Sequence, residues 1–137
     1  MEGLDINNDK SLCLSHSYDI NISKSNKIAD LNLARHGVAC AVFEGKIVVT
    51  GGYDYKQGTE LKSVEAYDYY DNKWTYLPDM IEERYGHASV SMGDKMFVID
   101  GKLTASCEVF ESFSRKFSAI KSDIKLSSTD VVATDFF

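Results

Sequence analysis

Cysteine, histidine, basic charge and long apolar runs are all scarce in this 137-residue sequence, and each scarcity removes a class of function. Cys13, Cys40 and Cys107 are odd in number and lie 27 and 67 positions apart, with no C-x-x-C spacing and no histidine pair to complete a zinc site. They are expected to pack as small hydrophobes in a reducing compartment. Three histidines supply neither a nucleophile–base–orienter set nor a cluster of metal ligands, so the chain reads as non-enzymatic, with no cofactor and no metal. No apolar stretch approaches about 18 residues, and no basic segment followed by an apolar one opens the chain. Neither a membrane partner nor secretion is indicated, and a cytoplasmic protein is expected. Fifteen Lys and Arg stand against 21 Asp and Glu, a net charge of -6. With no basic run to follow a phosphate backbone, nucleic acid is excluded as the expected partner.

What the chain does contain is a repeated device. "KIVVTGGYDY" (46–55) runs β-branched residues straight into Gly51 and Gly52 and then into Tyr53 and Tyr55. A glycine pair at a strand end marks either a turn with positive φ or a close approach that a Cβ would block. Arg35, Gly37, Ala39, Lys46, Val49 and Gly52 align with Arg84, Gly86, Ala88, Lys95, Val98 and Gly101, each pair 49 positions apart. Asp100 replaces the first glycine. The same offset backwards sets Tyr67, Asp68, Lys73, Met80 and Arg84 over Tyr18, Asp19, Lys24, Leu31 and Arg35. Forwards the offset falls to 43, with Glu65, Tyr67 and Trp74 matching Glu108, Phe110 and Phe117, so that copy is six residues shorter in the loop after the glycine.

Alternation and turn residues divide the clearest copy into four strands, at about 37–43, 46–50, 63–69 and 73–77, with Pro78 closing the unit. Four antiparallel strands repeated every 40 to 50 residues signify a β-propeller blade. The expected fold is all-β: two complete four-stranded antiparallel blades at 32–80 and 81–123, flanked by parts of two more at 1–31 and 124–137. In this register both ends cut through a blade, so the sequence reads as a segment of a longer protein whose blades depend on their neighbours.

"RHGVACAVFEGKIVVTGGYDY" with "SVEAYDYYDNKWTYLPDM" resembles a kelch repeat, and "RYGHASVSMGDKMFVIDG" with "CEVFESFSRKF" resembles a second, degenerate one. The motif residues are Gly51, Gly52, Tyr67 and Trp74 in one copy and Gly101, Phe110 and Phe117 in the next. Departures are Asp100, Phe117 for tryptophan, Ser25 at the tryptophan position of the opening copy, and Ser127 where a third arginine is due. The resemblance to kelch-like propellers implies that the first strand of each blade lines a central channel and that the loop after the glycines emerges at a rim. It also implies a protein-binding module. The parent chain would carry a BTB dimerisation domain and present substrates to a cullin-type ubiquitin ligase. Actin binding and a propeller oxidase or isomerase are the alternatives.

Partner-binding residues are expected at that rim. Arg35 and Arg84 stand at equivalent positions, and their planar guanidinium groups suit bidentate contact with carboxylate or phosphate. Together with Tyr53, Tyr55 and Lys102 they would grip an acidic or phosphorylated segment of a protein substrate. The opposing structural reading has each arginine bind a neighbouring carbonyl or carboxylate, and Tyr53 fold back as a cap. His36 and His87, near equivalent strand starts, read as polar residues at a channel mouth.

Overall fold

The computed structural model describes residues 3–5, 10–12, 15–19, 24–102 and 105–120, with side chains from residue 28 onward. Cys13, Ser127 and the expected further repeat at 124–137 lie outside the described residues.

Among the described residues every regular element is a strand. The opening copy supplies β1 (Gly3–Asp5), β2 (Lys10–Leu12), β3 (Ser15–Asp19) and β4 (Lys24–Ile28). The next supplies β5 (Ala39–Phe43), β6 (Lys46–Thr50), β7 (Tyr53–Asp54), β8 (Thr59–Glu60), β9 (Val64–Asp68) and β10 (Lys73–Leu77). The last supplies β11 (Ala88–Met92), β12 (Lys95–Ile99), β13 (Cys107–Glu111) and β14 (Lys116–Ile120). Two four-stranded antiparallel sheets result, in the orders β10-β9-β6-β5 and β11-β12-β13-β14. Register is equivalent throughout: Tyr67 faces Trp74, Phe110 faces Phe117, and Tyr18 faces Ser25.

Tight turns set that register. Glu44 and Gly45 both have positive φ, 53° and 72°, as a two-residue hairpin requires. Asn72 (φ 47°) and Arg115 (φ 55°) close β9–β10 and β13–β14. The first strand begins at Ala39, two residues later than expected, because Gly37 at φ 67° sits in left-handed backbone that no strand tolerates. The third strand stops at Asp68, whose carboxylate accepts hydrogen bonds from the Tyr70 and Asp71 amides and so starts the turn.

The sheets stack face to face, with their innermost strands β5 and β11 side by side. Val48, Val64, Ala66 and Phe43 of one sheet pack against Met96, Val98, Phe110 and Phe117 of the next. Phe43 meets Phe110 edge-on at 5.8 Å between centroids. On the opposite face of the first sheet, Val49, Tyr67 and Trp74 pack with Leu31 of the segment arriving from the opening copy. The first sheet therefore buries both faces against its neighbours, as the units of repeat architectures do.

Trp74 is 3% exposed, and its indole nitrogen donates to the Ala29 carbonyl at 2.7 Å. Trp74→Ala removes both the packing and the bond. It should destabilise the full chain by about 3 to 5 kcal/mol in denaturant unfolding, and a loss under about 1 kcal/mol would contradict the burial.

Candidate functional site

Antiparallel pairing decides which loops share an edge. Thr50 pairs with Ala39 and Val64, Val64 with Leu77, and Ile99 with Ala88 and Cys107, so residues 29–38, 51–63, 78–87, 100–102 and 105–106 all emerge on one rim. Turns 44–45, 69–72, 93–94 and 112–115 emerge on the other.

At the first rim the glycine pair has a clear physical cause. A Cβ on Gly51 would lie 2.3 Å from the Arg84 carbonyl oxygen, and one on Gly52 would lie 2.9 Å from that of His36. The segment entering the next sheet passes directly over Gly51, and the segment entering the same sheet lies against Gly52, whose amide donates to the Arg84 carbonyl at 2.8 Å. Asp100 adopts the left-handed φ of 65° where Gly51 has 59°, a conformation that aspartate tolerates better than most residues.

Arg35 and Arg84 are not at the surface of this rim. They are 0% and 1% exposed. Arg35 donates to the Gly51 and Ser63 carbonyls, to the Ser63 hydroxyl and to Glu65 Oε2 at 2.9 Å. Arg84 repeats the set with the Asp100 and Ser106 carbonyls, the Ser106 hydroxyl and Glu108 Oε2, also at 2.9 Å. Each glutamate uses its remaining capacity on the entering segment, Glu65 accepting from the Asn32 and Leu33 amides and Glu108 from those of Ile81 and Glu82. The expectation that two arginine forks face one ligand is corrected: the guanidinium groups are enclosed and committed to intrachain acceptors. The glutamates were the missed half of the arrangement. Their 43-residue equivalence was readable, but a carboxylate in a strand carries no mark of burial until its partner is known.

The tyrosines lie where the sequence expects a loop, but the loop is itself built. Tyr53 and Asp54 pair with Glu60 and Thr59 as the β7–β8 hairpin, and Tyr53 exchanges backbone hydrogen bonds with His36. Asp54 Oδ1 accepts from the Lys56 and Gln57 amides and tightens the tip. Tyr55 stacks on His36 at 3.9 Å with planes 11° apart. Tyr53 sits 5.1 Å from Tyr55 and 5.7 Å from Tyr85. Tyr53 is half-buried and Tyr55 is 49% exposed, so one packs within the cluster while the other presents a ring. Lys102 is exposed beside them, its amide donating to the Tyr85 carbonyl and its stem lying along Gly86. His36 and Tyr85 were not expected in this group. Burial holds the His36 imidazole below its usual pKa.

The β1–β2 hairpin repeats β7–β8, since Leu4 faces Ser11 as Tyr53 faces Glu60. The six-residue shortening falls where the third copy would carry its equivalent. His87 is a buried link between sheets: its Nε2 is hydrogen-bonded to Thr50 Oγ1 at 2.8 Å, and Thr50 in turn to Ser89. Burial, then the charge of Arg84, lowers its pKa to about 4. Cys40 is exposed on β5, contrary to the expected packing, while Cys107 is half-buried with its thiol pKa raised by burial. Among the described residues no group of His, Cys, Asp and Glu could hold a metal ion, and no helix is long and apolar enough to cross a membrane.

Four-stranded antiparallel sheets stacked on their inner strands, with their loops gathered on one rim, define a partial β-propeller. A family model for the Kelch motif matches residues 34–81. An F-box/kelch-repeat protein of Arabidopsis thaliana is 31% identical over 87 residues, covering 64% of this chain and 23% of the relative. Kelch-like protein 23 of Homo sapiens is 32% identical over 77 residues, 56% of this chain and 14% of that protein. Kelch repeat protein C2 of Vaccinia virus (strain Western Reserve) is 29% identical over 86 residues, 63% and 16% respectively. The matched stretches thus span less than a quarter of each relative. The solved structure of YjhT superposes with a TM-score of 0.76 at 16% identity, covering 92% of this chain and 48% of that one, and shows the shared fold. Residues 34–81 carry a Kelch motif, the chain is similar to kelch-repeat proteins over more than half of its length, and kelch repeats indicate a protein–protein interaction module.

Two consequences are measurable. Glu108→Gln leaves Arg84 buried with its closest carboxylate gone, and should cost about 3 to 5 kcal/mol of stability; a nearly neutral effect by chemical denaturation would show the pair to be dispensable. His87 has a folded pKa below that of the unfolded chain, so unfolded molecules bind its proton first as the pH drops. Its contribution is complete above about pH 6.5 and is lost towards pH 4, by up to about 3 kcal/mol. In His87→Gln that part of the pH-dependent loss should disappear from melting curves recorded between pH 7 and pH 4.

Proposed function

We propose that the chain forms part of the recognition propeller of an adaptor that recruits a protein substrate to a cullin-type ubiquitin ligase. The observation that carries the binding surface is the cluster of Tyr53 and Tyr55 on the β7–β8 hairpin with His36 and Tyr85 on the segments beside it, one ring of which is half in solvent. Aromatic side chains held rigid by their neighbours suit a protein contact, because little conformational freedom is lost when they are covered. The adaptor part is supported by relatives named as F-box/kelch-repeat and Kelch-like proteins. The acidic or phosphorylated segment expected as ligand loses its main support with the burial of Arg35 and Arg84. Lys102 stays at the surface, but a lysine offers a point charge on a flexible stem and not a planar fork.

Substituting Tyr55 separates binding from folding, since its ring is half exposed. In the full-length protein Tyr55→Ala should lose the captured partner by about tenfold or more in affinity, with an unchanged melting temperature, and ubiquitination of that partner should fall in parallel. Equal capture by folded Tyr55→Ala would reject this rim. Capture that depends on Tyr55 without any change in ubiquitination would leave a binding module and remove the adaptor role.

A further inference from the structure

We infer that the rim around Tyr55 takes a basic segment of its protein partner, with arginine or lysine side chains as the recognised groups, an inference that rests on this rim being the protein-binding face. The enclosure of the two arginines reverses the charge that the sequence suggests for this surface. Arg35 is neutralised inside the fold by Glu65 at 2.9 Å. Arg84 faces two carboxylates, Glu108 at 2.9 Å and Glu82 at 3.5 Å, so that its cluster carries one negative charge more than positive. The Glu82 side chain is the outward member, 48% exposed.

Glu83 follows at an exposed position, two residues before Tyr85, and Tyr85 leads through Tyr53 to Tyr55. Asp79 is also exposed on this edge and Glu60 half-exposed on β8. Exposed Lys56, Lys62 and Lys102 offset this charge only in part. A chain with a net charge of -6 adds an attractive field for a cationic segment.

Tyr55 supplies the second half of the recognition. One face of its ring is taken by His36, with planes only 11° apart, and the residue is still 49% exposed. The outer face is negative by its quadrupole and is held in place by the stack beneath, which suits a guanidinium or ammonium group laid over it. Glu60, across the same hairpin, and Glu83, on the segment that carries Tyr85, offer carboxylates for that cation's N–H groups.

The test titrates the full-length protein with a hexa-arginine peptide and, separately, a hexa-glutamate peptide, at low and physiological salt. Arginine peptide binding should weaken about fivefold or more in Tyr55→Ala and in Glu83→Lys, strengthen in Lys102→Glu, and change less than about twofold in Asp94→Lys, on the opposite rim. Preference for the glutamate peptide, or an Asp94→Lys effect as large as that of Glu83→Lys, would overturn the inference, the latter by showing attraction to net charge alone. Partner capture by the same variants keeps the two readings apart. If capture needs Tyr55 while the arginine peptide does not bind there, the rim stands and its charge preference is wrong; if capture ignores Tyr55, the rim itself fails.

Discussion

A buried arginine–glutamate pair recurs in successive sheets, and most of the architecture is tied to it. In one sheet Arg35 reaches the carbonyl of the first glycine, the carbonyl and hydroxyl of Ser63 and the carboxylate of Glu65. Glu65 then receives two amides of the segment that enters the sheet. The same atoms meet around Arg84 and Glu108. The guanidinium groups bond loop carbonyls, of which those of Ser63 and Ser106 also accept from the Gly51 and Asp100 amides, and the guanidinium charge is met by a carboxylate from the third strand. An apolar pair of similar volume would fill the space but remove these hydrogen bonds and the carboxylate that receives the amides of the entering segment.

The pair also bears on why the first glycine is needed. To reach its own acceptors, Arg84 brings its backbone carbonyl so close to Gly51 that a Cβ there would overlap it. Charge pairing, close backbone approach and the positive φ of the doublet are one constraint seen from three sides. His87 extends it across the interface through Thr50 and Ser89.

With the arginines spent on the frame, the rim is left to other groups. The β7–β8 hairpin and the entering segment at Tyr85 provide aromatic surface, and the exposed Glu82 and Glu83 precede Tyr85 on that segment. The third copy is six residues shorter in the corresponding loop, so loop length differs between copies while the frame beneath them repeats.

By itself the sequence determined the repeat, its 49- and 43-residue offsets, the four-strand unit with its hairpin turns, and the positions of Tyr67, Trp74, Phe110 and Phe117 as paired aromatics. Those features are local or periodic: alternation, turn residues and self-similarity are written along the chain. Burial of the arginines was decided only by tertiary structure. An arginine before a strand looks the same whether it faces water or a glutamate 30 residues on, and the choice between recognition and support was open until Glu65 and Glu108 were placed beside them. The small β1–β2 and β7–β8 hairpins escaped notice for a related reason, since two or three residues are too few to show a period. The aromatic group at the rim joins residues from three separate segments, and only folding brings His36, Tyr53, Tyr55 and Tyr85 together.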